Sequence, residues 1–295
     1  MAAVGAGSPE LRIAGHEVDL SRPLVMGILN VTPDSFSDGG RFVDPGGAAA
    51  HAMRMVEEGA DIIDVGGEST RPGSEPVTAD EEMRRVLPVI ESLAGRVGAP
   101  ISIDTTKAAV AERAVRAGAS MVNDVSGLRF DPEIADVVRE RGAGLVLMHS
   151  RGRPKDMQDA PRYGDVVAEV VGELAEAMDR AVRRGVPSAA IVLDPGIGFA
   201  KRPEHSLRLL ASIPALAALG RPVLVGPSRK AFIGAVTGDP ADRRLEGTLA
   251  AVAVAVFGGA HIVRVHDVAQ ARRAVQVAAA IRDAGSPREE GGARA

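Results

Sequence analysis

The sequence predicts a single α/β domain folded as a (β/α)8 TIM barrel. Eight short apolar runs rich in β-branched residues recur along the chain, and segments with helical patterns separate them. Near-continuous hydrophobicity in such runs is typical of parallel strands that are covered on both faces. Neither a linker nor a shift in composition interrupts the middle of the chain. Strand followed by helix, eight times over, favours a closed barrel over its rival, an open doubly wound sheet.

The eight predicted strands each end in polar or small residues. In order along the chain they are LVMGILN from Leu24, IIDVGGES from Ile62, ISIDTT from Ile101, SMVNDVSG from Ser120, GLVLMHS from Gly144, IVLDPGIG from Ile191, PVLVGPSR from Pro222 and IVRVHDV from Ile262. In a barrel of parallel strands all these ends meet at one mouth.

The segments between the strands carry helix start signals. Thr78 with Glu81 matches a capping box, and Asp131 before Pro132 predicts a cap followed by proline in the first turn. The segment from Thr248 to Phe257 is apolar on all sides, which predicts a helix buried against the barrel and at a subunit interface. It is too short to cross a bilayer, which takes about 20 residues.

The start of the chain predicts a small closing element. Residues Leu11 to Leu20 match a hairpin with its turn at Gly15, placed to close the bottom of the barrel. We expect residues 10–284 to form the barrel domain, and residues 1–9 and 285–295 to be flexible tails. The first twenty residues lack the pattern of a secretory signal.

Composition excludes several classes of site and partner. The 295 residues are 45% hydrophobic and 25% charged, with a formal net charge of -4, which is typical of a globular protein with a large core. The absence of cysteine excludes a disulfide framework, a thiolate metal site and a cysteine nucleophile, and it fits a cytoplasmic location. Mild acidity gives no reason to expect nucleic acid or a membrane as partner.

Four polar residues near strand ends predict a binding pocket. Asp104, Asn123 and Asp194 lie near the ends of three different strands, and Lys230 follows the seventh. Carboxylates accept from amino and ring N–H groups and a lysine donates to a carbonyl, so this set suits a flat heterocycle with an amidine-like edge. The alternative is that each residue only caps a helix or pairs with a neighbouring arginine.

The end of the eighth strand predicts an anion site. Arg264 and His266 occupy alternate positions and therefore share one side of the strand, which barrel closure brings beside Asn30. An arginine and a histidine bind phosphate groups, and an asparagine oxygen supplies one ligand to Mg2+ that keeps waters and phosphate oxygens. The alternative for His266 is an ordinary barrel residue with its hydrogen bonds satisfied.

Two loops at the predicted mouth carry residues that turning does not require. The first lies within NVTPDSFSDGG, from Asn30 to Gly40, and includes Phe36, an aromatic that suits a lid. The second runs from Ser69 to Glu75 and includes Arg71, which suits a carboxylate or phosphate.

Taken together, these residues resemble the dihydropteroate synthase family from Leu24 to about Ala284. The resemblance rests on seven motifs in the family's order, namely NVTPDSFSDGG, DVGGESTRPG, SIDTTK, NDVSG, DPGIGF, SRKAF and RVHDV. It implies a barrel, usually a homodimer, that joins 6-hydroxymethyl-7,8-dihydropterin diphosphate to p-aminobenzoate with Mg2+ assistance. The implied reaction is a dissociative substitution that releases pyrophosphate, with no covalent nucleophile.

The resemblance also implies roles for individual residues. Pterin binding falls to Asp104, Asn123, Asp194 and Lys230, and diphosphate binding to Asn30, Arg71, Arg264 and His266, with Asn30 also contacting Mg2+. The catalytic set is Asp104, Asp194, Lys230, Arg264 and His266. The p-aminobenzoate pocket comprises Phe36, Thr70, Arg71, Pro72, Phe199, Ser228 and the stem of Lys230.

Two alternatives share the pterin site but not the reaction. A pterin-binding methyltransferase module acting with a corrinoid partner would share the Asp and Asn positions, yet should lack SRKAF, RVHDV and the Phe36 loop, which are present here. A catalytically silent paralogue would carry substitutions in the loop from Asp34 to Gly40 or at Arg71, Lys230 or Arg264, and none is found. The chain departs from the commoner family pattern at Ser150, Ser206 and Pro227, of which Ser150 is expected to enlarge a pocket wall.

Overall fold

Parallel strands alternate with helices along the chain, as the sequence predicts. The computed structural model describes residues 9–32, 45–69, 73–153, 157 and 161–285. The strands within these ranges are β1 (Arg12–Ile13), β2 (His16–Glu17), β3 (Leu24–Asn30), β4 (Ile62–Gly66), β5 (Ile101–Asp104), β6 (Met121–Asp124), β7 (Gly144–Met148), β8 (Ile191–Asp194), β9 (Leu224–Val225) and β10 (Ile262–Val265).

Helices follow every barrel strand in these ranges. They are α1 (Pro45–Glu57), α2 (Ala79–Leu93), α3 (Ala108–Ala117), α4 (Ile134–Arg141), α5 (Val166–Arg183), α6 (Pro203–Leu210), α7 (Ile213–Ala217), α8 (Ala231–Thr237), α9 (Leu245–Phe257) and α10 (Val268–Ala284). Two helices instead of one follow β8 and β9.

The strands β3 to β10 close into a barrel. They pair in parallel in the order β8-β7-β6-β5-β4-β3-β10-β9. The seam between β8 and β9 is joined by a parallel bridge from Leu193 to Val223, where the Leu193 N–H donates to the carbonyl of Pro222 at 2.9 Å. The predicted closed barrel is therefore confirmed over the open sheet.

Alternation along the strands separates two apolar cores. Odd and even positions face opposite sides of a strand, so one set packs under the helices and the other fills the barrel. The outer core includes Ile63 and Val65 of β4 and Ile103 of β5. The inner core lies toward the amino ends of the strands and comprises Leu24, Met26, Ile62, Met121, Val146, Val192, Leu224 and Ile262 with Leu11 and Ile13.

The N-terminal hairpin closes the bottom of the barrel, as predicted. β1 and β2 pair antiparallel, and the turn uses Ala14 and Gly15 at φ 50° and 78°. Leu11 and Ile13 join the inner core, and the Ala14 N–H donates to the carbonyl of Gly142 just before β7. The apolar floor therefore leaves the opposite end of the barrel for polar chemistry.

Helix α9 is buried against the barrel on one side, and its other apolar side is exposed, where the sequence predicts a subunit interface. Thr248, Ala251, Val252, Ala255 and Val256 are buried. Val254 and Phe257 on the other side are 53% and 60% exposed. The helix lies beside α10, which also exposes apolar side chains. Within the described ranges, none of the helices combines the length and hydrophobicity that a membrane crossing requires.

Candidate active site

Polar residues form the layer of the barrel interior directly above the apolar floor. On β4 the residues that face the barrel interior are Ile62, Asp64 and Gly66. Ile62 belongs to the apolar floor, and Asp64 is the next inward-facing residue toward the mouth. Asp104 on β5 pairs in register with Gly66 and with Asn123 on β6. The sequence therefore places its charged groups at the carboxyl ends of the strands, where barrel enzymes hold their ligands.

Arg264 links two buried carboxylates in this layer. Its Nε donates to Asp64 Oδ2 at 2.6 Å, and its Nη2 donates to Asp104 Oδ2 at 2.7 Å. Burial raises the pKa of Asp104 to about 7, and Arg264 opposes this rise. The guanidinium thus compensates charges that would otherwise be costly to bury.

Asp194 lies at the end of β8 and is almost fully buried. Its Oδ1 accepts the N–H of Gly196 at 2.7 Å. Burial raises the pKa of Asp194 to about 6, while the Gly196 N–H and Lys230 act in the opposite direction. The group is therefore mostly a carboxylate at pH 7 and can accept hydrogen bonds from a ligand.

Lys230 is held over an aromatic ring beside Asp194. Its Nζ lies 3.9 Å from the centroid of the Phe199 ring, a cation–π contact. A Cβ at Gly198 would come within 3.0 Å of the Lys230 side chain, so glycine allows the loop after β8 to approach it. Burial and then Arg264 lower the pKa of Lys230 to about 8, which leaves it mostly charged at pH 7.

Ser228 and His266 are hydrogen-bonded across the ends of β9 and β10. Ser228 Oγ is 2.9 Å from His266 Nδ1, and the same oxygen accepts the backbone N–H of His266. Burial first, and then Arg264, lower the pKa of His266 to about 4. The imidazole is therefore neutral at pH 7, and it can engage a ligand through hydrogen bonds but not through charge.

Asn30 ends β3 beside this layer. Its amide oxygen lies 3.9 Å from the point that a Cβ on Gly66 would occupy, and Asp104 Oδ2 lies 3.8 Å from the same point. A side chain at Gly66 would therefore fill the space between them. In the described part of the chain, no group of three or more His, Asp or Glu side chains is arranged to hold a metal ion.

The comparisons with known proteins all point to one family. A family model described as pterin binding enzyme matches residues 26–266. The chain is 50% identical over 261 residues to the dihydropteroate synthase of Synechocystis, covering 88% of this chain and 90% of the relative. It is 49% identical to the Bacillus subtilis dihydropteroate synthase, covering 85% of this chain and 86% of the relative.

The chain belongs to the dihydropteroate synthase family. Among solved structures, the Yersinia pestis dihydropteroate synthase with a sulfonamide drug superposes with a TM-score of 0.87 at 42% identity, covering 93% of this chain and 99% of that one. The Xanthomonas albilineans enzyme with 4-aminobenzoic acid gives a TM-score of 0.87 at 47% identity, covering 95% and 100%. The predicted resemblance is thus confirmed over most of the chain.

The structure places the described candidate residues at one mouth of this family barrel. They are Asn30, Asp104, Asn123, Asp194, Phe199, Ser228, Lys230, Arg264 and His266. The remaining candidates, Phe36, Thr70, Arg71 and Pro72, lie outside the described residues. The roles of the residues in both groups remain predictions.

Sequence reasoning missed a buried network that supports the loop after β8. Lys201 Nζ lies 3.0 Å from His149 Nδ1 and donates to the carbonyl of Phe199 at 3.0 Å. His149 Nε2 in turn lies 3.0 Å from Glu173 Oε2. Burial lowers the pKa of Lys201 to about 7. A lysine two residues after the DPGIGF motif is the signal that could have pointed to it, since a buried lysine requires partners.

Asp64 was also missed as a member of the site. It is fully buried and accepts hydrogen bonds from both Asn123 and Arg264. The rule that singled out Asp104, a carboxylate inside an apolar strand, applies equally to Asp64.

Proposed function

We propose that this chain is a dihydropteroate synthase of folate biosynthesis. It would condense 6-hydroxymethyl-7,8-dihydropterin diphosphate with p-aminobenzoate, giving 7,8-dihydropteroate and pyrophosphate. The observation that carries the proposal is the inward-facing set Asp104, Asn123, Asp194 and Lys230 at one barrel mouth. The relatives named dihydropteroate synthase, 49% and 50% identical over most of their length, support it.

The pterin would bind with its amidine-like edge against the carboxylates. Asp194 and Asp104 present acceptors for amino and ring N–H groups, and Lys230 presents a donor for the ring carbonyl. Phe199 under the ammonium offers an apolar face to one side of the same space. Asp104 and Asp194 are buried, and low water access strengthens the hydrogen bonds that they accept.

The charges favour a dissociative substitution. The bond from the pterin methylene carbon to the diphosphate oxygen breaks first, and its electron pair leaves with the diphosphate. The positive charge that remains is delocalised into the pterin, next to Asp104 and Asp194, where a nearby cation also favours their ionised forms. The lone pair of the p-aminobenzoate nitrogen then bonds to the carbon, and its proton passes to the released pyrophosphate.

Diphosphate binding is assigned to Asn30, Arg264 and His266, with Arg71. His266 would donate from its neutral imidazole, and Arg264 from the N–H groups that its two carboxylates leave free. We assign Asn30 to Mg2+ as one oxygen ligand. Because Gly66 has no Cβ, no side chain fills the point 3.9 Å from this amide oxygen, which leaves room for a cation that keeps waters and phosphate oxygens. When bound, Mg2+ neutralises charge on the leaving group.

The p-aminobenzoate pocket is assigned to Phe199, Ser228 and the stem of Lys230, together with Phe36, Thr70, Arg71 and Pro72. Ser228 lies next to His266, so the p-aminobenzoate pocket would adjoin the diphosphate site. The Xanthomonas albilineans relative was solved with 4-aminobenzoic acid, which supports this substrate class.

The test is mass-spectrometric detection of 7,8-dihydropteroate after mixing the protein with both substrates and Mg2+. Lys230→Ala should abolish product, because it removes the pterin carbonyl donor and the charge over Phe199. Arg208→Ala, an exposed cation on α6, is the matched control and should retain full activity.

Three outcomes would contradict part of this proposal. Product formation that survives Lys230→Ala would support the reaction but remove Lys230 from it. Pterin binding by calorimetry without any product would indicate the silent paralogue, and methyl transfer to a corrinoid protein would indicate the methyltransferase module.

We also propose that the chain is a homodimer. A groove of about 690 Å3 between α9 and α10 is lined mostly by apolar side chains. Val254, Phe257, Val277 and Ile281 line it and are each more than half exposed. An exposed apolar patch of this kind marks an interaction surface, and a second copy of α9 and α10 would cover it symmetrically.

We propose a cytoplasmic location on composition alone. The chain has no cysteine, so its stability depends on no disulfide and is unaffected by a reducing compartment. Fractionation of the producing cells, with activity measured in each fraction, would test this.

A further inference from the structure

Asp64 is a buried carboxylate beneath the candidate pterin site. It lies on β4, has no exposed surface, and faces the barrel interior one step above the apolar floor. Its Oδ2 accepts two hydrogen bonds, from Asn123 Nδ2 at 3.0 Å and from Arg264 Nε at 2.6 Å. Its Oδ1 has no hydrogen-bond partner among the described residues.

The contact with Asn123 fixes which way that amide points. A carboxylate only accepts hydrogen bonds, so the NH2 group of Asn123 must face Asp64. The orientation of an asparagine is determined by such a network, since its oxygen and nitrogen are otherwise interchangeable in shape. The Asn123 oxygen is therefore left for the pocket, where it offers an acceptor instead of a donor.

The contact with Arg264 fixes the guanidinium between two strands. Nε is bound to Asp64 on β4 and Nη2 to Asp104 on β5. Arg264 is therefore held by both carboxylates. Asp104 faces the pocket with its Oδ2 already accepting a hydrogen bond from Arg264. Removal of Asp64 would leave the arginine tied to Asp104 alone.

We propose that Asp64 is a positioning residue of the pterin site. It orients the Asn123 amide so that its oxygen faces the ligand, and it holds Arg264 against Asp104, without contacting the ligand itself. The proposal rests on the proposed function, because it assumes that Asn123 and Asp104 bind the pterin.

Burial of a carboxylate does not by itself imply such a role. Glu82 on α2 is also fully buried, yet its partner Lys107, at 2.6 Å, is not a candidate site residue. Asp64 differs because both of its partners are candidate site residues. Its register partner Ser102 is equally buried, and its hydroxyl has no partner in the described residues, so it provides a matched control.

The experiment compares Asp64→Asn, Asp64→Ala and Ser102→Ala. Binding of the pterin diphosphate and of the free pterin is measured by calorimetry, and KM for p-aminobenzoate by the product assay. Asp64→Asn keeps one acceptor oxygen and should weaken both pterin ligands by about tenfold. Asp64→Ala loses both hydrogen bonds and should weaken them by about a hundredfold. Ser102→Ala should stay within about twofold of the parent protein.

A pH profile separates positioning from packing. Asp104 is faced by Arg264 and by the carboxylates Asp64, Glu82 and Asp124. Asp64→Asn removes one like charge, so the loss of pterin binding that accompanies protonation of Asp104 should move to lower pH. A purely structural role would lower thermal stability and leave this profile in place.

The outcomes are decisive in both directions. Parent-like pterin affinity and an unchanged pH profile in Asp64→Asn would overturn the proposal, whatever happens to the melting temperature. If Asp64→Ala fails to fold, the pterin affinity and pH profile of Asp64→Asn still test the proposal. A parent protein that binds pterin but forms no product would reject the proposed reaction while leaving the binding test of Asp64 intact.

Discussion

At the residue scale, the site depends on carboxylates whose proton affinity is raised by burial. Asp104 and Asp194 both have pKa values above the ordinary range, at about 7 and about 6, and desolvation is the largest cause for each. A cationic partner limits the rise in both cases, through Arg264 for Asp104 and Lys230 for Asp194. The pocket therefore holds carboxylates that a positive pterin would drive toward ionisation.

The raised pKa values of Asp104 and Asp194 predict how pterin binding depends on pH. Only the ionised carboxylate accepts the ligand N–H groups, so affinity is full above both pKa values and is lost as pH falls through about 7 and about 6. Below pH 6 the affinity should drop by at least about tenfold per pH unit. Calorimetric titrations from pH 8 to about pH 5 would measure this.

Asp194→Asn tests whether protonation of Asp194 causes the loss of pterin affinity near pH 6. The variant should bind pterin about ten- to a hundredfold more weakly at pH 8, because an acceptor becomes a misplaced donor. The step near pH 6 should disappear while the step near pH 7 remains. Asp242→Asn, at an exposed position, is the control. A retained step near pH 6 in the Asp194 variant would assign it to another group.

Sequence alone predicted the chemical types at the site but not their pairings. Asp104, Asn123 and Asp194 were recognisable because carboxylates and amides are unusual inside apolar strands. That Arg264 pairs with Asp64 and Asp104 could not be predicted, because the two carboxylates lie 200 and 160 residues away and only barrel closure brings them together. The reach of a side chain across the barrel is not encoded in local spacing.

At the element scale, the hydrophobic periodicity and the turn-forming residues of the sequence predicted the strands better than they predicted the ends of the helices. All eight apolar runs became barrel strands, although β9 is only Leu224–Val225. Thr78 caps α2 through the N–H of Glu81, but the Glu81 carboxylate pairs with Arg85, so the predicted reciprocal box is not formed. Asp131 accepts the N–H of Ala108 at the start of α3, a cap from a distant residue that local sequence cannot reveal.

The loop after β8 allows a test of close backbone approach. Gly196 has φ +66°, and a Cβ there would lie 1.9 Å from the carbonyl oxygen of His149. Gly196→Ala should lower the free energy of unfolding by about 3 kcal/mol or more, and should weaken pterin binding because the Gly196 N–H holds Asp194. Urea denaturation would measure the first effect and calorimetry the second.

At Gly172, in contrast to Gly196, substitution by alanine is expected to stabilise the protein. Gly172 lies inside α5, and a Cβ there would meet nothing within 4 Å. Gly172→Ala should raise the free energy of unfolding by about 0.5–1 kcal/mol, because alanine loses less backbone entropy in a helix. Equal stabilities for the two alanine variants would contradict the described approach of the β8 loop to His149.

At the scale of the whole molecule, the barrel is polarised along its axis. The hairpin and the inner apolar core close one end, and the ionisable residues gather at the other. Binding energy and folding energy are therefore supplied by different layers of the same eight strands. This arrangement lets the mouth carry unpaired or weakly paired charges at a stability cost that the floor offsets.

The exposed apolar groove on the side of the barrel predicts assembly. Val277 lines the groove between α9 and α10 and is 61% exposed, whereas Val236 on α8 is 66% exposed and is not among the residues that line it. Val277→Glu should convert a dimer into a monomer at micromolar concentration, because it buries a charge in an apolar symmetric contact. Val236→Glu adds the same charge at similar exposure and should leave the dimer intact. Light scattering coupled to gel filtration would give the masses, and a monomeric parent protein, or equal dissociation by both variants, would reject the groove as the dimer interface.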